Sequence, residues 1–73
     1  MDRALILDHL AQAERHVAEG KEHLDRQRQI LAELQRDGHD TAEAKKLLAT
    51  FEALQAQHVA DCARLRRELE NAP

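Results

Sequence analysis

The chain has 73 residues, of which 34% are charged; Trp and Tyr are absent and Phe occurs once. Thirteen of its 31 hydrophobic residues are Ala, so one copy has too few large apolar side chains for a thick core, and we expect self-association. The net charge of −3 argues against binding to a nucleic-acid backbone, and the single Cys excludes an internal disulfide.

The first predicted element is a helix over residues 2–36, because this stretch is rich in Ala, Leu, Glu, Gln and Arg. Its amino-terminal apolar cluster is interrupted by Asp8 and His9, and it is too short for a signal sequence or a membrane span. Two rows with heptad spacing predict a coiled-coil seam. The first row is Arg3, Leu10, Val17, Leu24 and Leu31, and the second is Ile6, Ala13, Gly20, Gln27 and Leu34.

A turn is predicted over residues 37–40. Gly38 suits the left-handed position that follows a helix end. Asp40 with Glu43 three residues later has the chemistry of a capping box, in which Asp replaces the usual Ser or Thr. So short a connection between two long helices predicts an all-α fold, an antiparallel two-helix hairpin, as one domain over residues 1–73.

The last predicted element is a helix over residues 41–71. Its apolar positions advance in steps of three and four, and two consecutive fours predict a stutter that relaxes supercoiling. These positions are Ala44, Leu47, Phe51, Leu54, His58, Cys62, Leu65 and Leu69. Folding about the turn is expected to place Gly20 opposite the bulky His58, where a residue without a side chain would allow close approach.

A further apolar row outside the seam makes the predicted face wider than two helices need. It comprises Leu7, Ala11, Ala18, Ile30, Leu48, Gln55 and Val59. We therefore expect two hairpins to form a homodimeric four-helix bundle. The residues predicted to form the interfaces are Leu10, Val17, Leu24, Leu31, Leu47, Phe51, Leu54, Leu65 and Leu69.

Four segments carry a resemblance to known proteins. They are Ala13–Gly20, Arg26–Ile30, the turn Arg36-Asp37-Gly38-His39-Asp40-Thr41 and Leu47–Glu52. The chain resembles a group of small uncharacterised proteobacterial helical-hairpin proteins, of which this turn is the most distinctive part. The resemblance implies a bacterial cytoplasmic setting and no activity, cofactor or binding residue.

The histidines and the cysteine are the candidates for chemistry. His9, His16 and His23 lie about 10.5 Å apart along the helix, too far to share one metal, and are expected to border the seam in water or to make it sensitive to pH. A possible zinc set is His16, Glu19, His58 and Cys62. Since no metal motif accompanies it, we expect His58 and Cys62 to be packing residues and predict no cofactor.

The sequence thus favours a non-enzymatic, cytoplasmic interaction module whose partner is itself or another helical protein. His58 and Cys62 could form a catalytic pair, but they lack an orienting third group, so no enzyme is predicted. The alternatives are a His/Cys metal-binding protein and a small RNA-binding bundle. The basic residues for such an RNA-binding face would be Arg15, Lys21, Arg26, Arg28 and Arg36, which are interleaved with acidic residues.

Overall fold

A computed structural model describes residues 2–73 as two α-helices joined by a short turn. Helix α1 spans Arg3–Arg36 and helix α2 spans Ala42–Glu70. The helices pack against each other as an antiparallel hairpin with extents of 57 × 14 × 13 Å. Each helix differs by a residue or less at either end from the predicted ranges 2–36 and 41–71. Met1, which the predicted domain includes, lies outside the described residues.

Local chemistry fixes both ends of α1. Asp2 caps the first turn, because its Oδ1 accepts a hydrogen bond from the Ala4 N–H at 3.3 Å. At the other end Gly38 has a φ of +75°, in the left-handed region. The His39 N–H donates to the Leu34 carbonyl at 2.9 Å and the Gly38 N–H to the Gln35 carbonyl at 3.3 Å, which is the Schellman arrangement.

The start of α2 differs from the expected capping box. Asp40 Oδ1 accepts from the Ala42 N–H at 3.0 Å, so it satisfies one free helix donor. Glu43 makes no reciprocal bond; its carboxylate lies 3.8 Å from the Lys46 ammonium. The reason is the position of the helix start: the cap residue is Thr41, which puts Glu43 one position too early for the box.

The seam of α1 follows the heptad rows, except that Arg3 is exposed. Leu10 and Leu24 are buried, whereas Val17 and Leu31 are half-buried. The continuous core lies near the chain termini, where apolar side chains of both helices interdigitate. This cluster consists of Leu10, Ala13, Cys62 and Leu65, with Val17 and Leu69 packed against it.

The seam of α2 corrects the sequence prediction. Leu47 and Leu54 are each 44% exposed, whereas their neighbours Leu48 and Gln55 are half-buried. The row therefore advances in regular alternating steps of four and three, without the predicted stutter. It runs through Ala44, Leu48, Phe51, Gln55, His58, Cys62, Leu65 and Leu69. The regular heptad row on α2 matches the heptad rows on α1 from Ile6 onward, which keeps the two seams facing each other.

The register also differs from the expected one. Gly20 lies against Gln55 and not against His58, a difference of nearly one helical turn. His58 contacts His16 instead. A Cβ at Gly20 would overlap the Gln55 side chain, so Gly20 makes room for an amide that crosses the seam. Neither helix of residues 2–73 has an apolar stretch long enough to cross a lipid bilayer.

Candidate interaction surface

An open groove of about 280 Å³ runs along one side of the seam, near the middle of the hairpin. It is lined by His16, Glu19, Gly20, His23, Phe51, Leu54, Gln55 and His58. Both helices contribute to it: His16 and His23 on α1, and Phe51 and His58 on α2, are each seven residues apart and therefore lie on the same side of their helix. We call this feature the histidine groove.

Two ring pairs cross the histidine groove. The rings of His16 and His58 have centres 5.3 Å apart and planes tilted by 47°. Those of His23 and Phe51 are 5.7 Å apart and nearly parallel, at 18°. The sequence led us to expect His16 and His23 to border the seam with their rings in water. Both are exposed residues, yet each ring contacts a half-buried ring of α2, so the pairs help to join the two helices.

Gln55, which lines the histidine groove, makes a long-range hydrogen bond to α1. Gln55 donates from Nε2 to the Val17 carbonyl at 2.9 Å, and its Oε1 is buried without a hydrogen-bond partner. The amide reaches the backbone of α1 because Gly20 leaves the space for it. Sequence reasoning missed this bond, although a Gly within the heptad row of α1 already indicated a close contact of some kind at this level.

An apolar strip extends from the histidine groove towards the turn. Leu47 precedes Leu54 by seven residues and Ile30 follows His23 by seven, so both lie on the side of the hairpin that carries the groove. Leu47 and Leu54 are each 44% exposed, and Ile30 and Phe51 are half-buried. We define the apolar strip as Ile30, Leu47, Phe51 and Leu54.

The opposite side of the seam has a different character. A second open groove there contains Val59, which is 51% exposed, together with charged Glu14, Lys21 and Arg66. Leu7, seven residues before Glu14, belongs to this side and is 45% exposed. The single apolar row expected outside the seam is therefore not formed. Leu48 and Gln55 belong to the seam, and the exposed apolar residues are divided between two sides.

The candidate zinc ligands do not come together as a set of four. His16, Glu19 and His58 line the histidine groove, but Cys62 is 3% exposed within the core cluster. Within residues 2–73, no three side chains of His, Cys, Asp or Glu are arranged to hold a metal ion. Cys62 lines the groove on the opposite side of the seam and not the histidine groove.

The basic residues considered for an RNA face are all exposed. Lys21 lies in the groove that contains Glu14, and Arg28 shares that side because it is seven residues further on. Arg28 lies 3.8 Å from the Asp25 carboxylate. Acidic neighbours thus interrupt the positive charge along α1.

No protein family, curated protein or solved structure matches this chain. The resemblance to proteobacterial helical-hairpin proteins therefore stays a prediction. The function of the surface is inferred from its own geometry, that is, from the apolar strip and the adjoining histidine groove.

Proposed function

We propose that the hairpin is an interaction module that binds a second copy of itself through the apolar strip, so that two hairpins form a four-helix bundle. The observation that carries this proposal is the exposure of Leu47 and Leu54 beside half-buried Ile30 and Phe51. Large apolar side chains on one side of the hairpin are favourable to remove from water.

The dimensions of the hairpin favour a second copy of the chain as the partner that covers the apolar strip. A body only 14 × 13 Å across is a single layer of two helices, whereas stable domains are built from at least two packed layers. On the side that carries the apolar strip, Leu47 and Leu54 are each 44% exposed. A second hairpin supplies the missing layer, and a two-fold axis lets the same apolar strip serve both copies.

Charge favours the apolar strip over the opposite side of the seam. Burial of the groove around Val59 would remove Glu14, Lys21 and Arg66 from water, which is costly unless each charge is paired. The histidine groove that adjoins the apolar strip has one charged lining residue, Glu19, so its burial costs less. The proposed bundle therefore leaves the charged groove in solvent.

We also propose a non-enzymatic role in the cytoplasm. The support for this location is the free Cys62 thiol, which suits a reducing compartment. The competing partner is another helical protein with a complementary apolar face. In that case the purified chain would remain monomeric.

A comparison of two similarly exposed apolar residues, Leu54 and Val59, tests the proposal. We expect the wild-type chain to have twice the monomer mass by light scattering, and Leu54→Glu to convert it to a monomer. Val59→Glu, which places the same charge on the opposite side, is the control and should keep the dimer mass. A monomeric wild-type chain, or dissociation by Val59→Glu alone, would contradict the proposal.

A further inference from the structure

The contact between His16 of α1 and His58 of α2 has no role in the proposed self-association. His16 is exposed and His58 half-buried, and both rings face an open groove. Their centres are 5.3 Å apart. Two imidazoles held on separate helices at this distance are potential ligands for one cation, because imidazole binds Zn²⁺, Cu²⁺ and Ni²⁺ well.

The ring centres of His16 and His58 are as far apart as those of two imidazoles bound to one metal ion. A zinc ion about 2.1 Å from a ring nitrogen lies about 3.2 Å from the ring centre, so two imidazoles on one tetrahedral ion have centres about 5.2 Å apart. The observed 5.3 Å agrees with this value. We propose that His16 and His58 form a two-histidine site for a divalent transition-metal ion such as Zn²⁺, which links α1 to α2 across the histidine groove.

The proposed site differs from the four-ligand set suggested by the sequence. Cys62 takes no part, since its side chain is buried in the core cluster. Because the described residues hold no group of three ligands, His16 and His58 are the two protein ligands and water completes the coordination. Rotation about the last side-chain bond of each histidine directs a nitrogen at the ion, and the helices keep their register.

A bound ion stabilises only the folded hairpin, because the unfolded chain does not hold the two rings together. We expect ZnCl₂ at ten times its Kd to raise the Tm of the wild-type chain by about 5 °C or more. NiCl₂ should act in the same direction, whereas MgCl₂ should have no effect, because Mg²⁺ prefers oxygen ligands. Calorimetric titration should give one Zn²⁺ per chain.

Single substitutions assign the ligands. His16→Ala and His58→Ala should each abolish the rise in Tm, and His9→Ala should retain it, because His9 is an exposed histidine of the same helix outside the groove. Cys62→Ala should retain the rise as well. If a variant is too unstable to melt cooperatively, titration of the folded protein at low temperature replaces the melt.

Three results of these Zn²⁺ experiments would contradict the two-histidine site. A wild-type Tm that ignores Zn²⁺, a response that survives in both His16→Ala and His58→Ala, or a response lost in Cys62→Ala would overturn the two-histidine site. The mass of metal-free protein in EDTA reports on self-association separately. A dimer without a Zn²⁺ response refutes the metal site alone, and a monomer with the response refutes the proposed dimer alone.

Discussion

The Gln55 side chain occupies the space that a Cβ at Gly20 would fill, and its Nε2 donates to the Val17 carbonyl at 2.9 Å. A polar side chain in the heptad row thus bonds the backbone of the opposite helix one turn from the glycine. Gly within a helix costs about 1 kcal/mol relative to Ala. We expect the Gln55–Val17 hydrogen bond to offset part of this cost, since the Gln55 Oε1 is itself buried without a partner.

Substitution of Gly20 measures this compensation. In the wild-type chain Gly20→Ala should change the free energy of unfolding by less than about 1 kcal/mol, because better helix propensity offsets the displaced Gln55 amide. In a Gln55→Ala background the same change should stabilise by about 1 kcal/mol, since no side chain opposes the new Cβ. Urea unfolding of the four proteins gives the coupling. Equal effects in both backgrounds would show that the two residues do not interact.

Substitution of two leucines tests which residues lie in the seam between α1 and α2 and which lie on the outer surface. Leu24 is 8% exposed and Leu54 is 44% exposed. Leu24→Asp should abolish cooperative folding, because it buries an unpaired charge between the helices. Leu54→Asp leaves the seam between α1 and α2 intact, so it should retain more of the helical circular dichroism and lower the Tm less than Leu24→Asp does. Loss of helicity in Leu54→Asp alone would place Leu54 in the seam.

Cys62 contributes to stability through packing. It is 3% exposed within the cluster of Leu10, Ala13 and Leu65. Cys62→Ala should lower the free energy of unfolding by about 1–2 kcal/mol, since it removes a buried sulfur and leaves a small cavity. Val59→Ala, at a 51% exposed position, is the control and should change stability by less than about 0.5 kcal/mol. Denaturant unfolding at one protein concentration compares them, and similar losses would argue against a packing role.

Gly38 determines how the chain leaves α1. Because its φ is +75° and no atom lies within 4 Å of a Cβ built there, substitution affects only the backbone. Gly38→Ala should destabilise by about 1 kcal/mol, and Gly38→Asn by less, because Asn adopts the left-handed region more readily. Thermal melts followed by circular dichroism would give this order. Ala tolerated as well as Asn would mean that the turn relaxes to another conformation.

The amino-acid sequence by itself determined the elements and their connection. Long stretches of strong helix formers, Gly38 at the helix end and Asp40 before the next helix are local signals. They depend on residues within one turn of each other, so no tertiary contact is needed to interpret them. The heptad spacing of Leu10, Val17 and Leu24 likewise identifies the inner side of α1.

Only the tertiary structure decided which side of α2 faces α1. Leu47 and Leu48 are adjacent in sequence and equally apolar, so hydrophobicity does not tell which of them faces α1. At the next position of the row, hydrophobicity would place Leu54 in the seam and not Gln55. The structure selects Leu48 and Gln55, which continue the regular heptad row, and Gln55 gains a hydrogen bond to Val17 through the space at Gly20. That bond, and the contact of His16 with His58, depend on the register between two helices. Register is a property of the packed pair, and the pattern along either helix alone does not contain it.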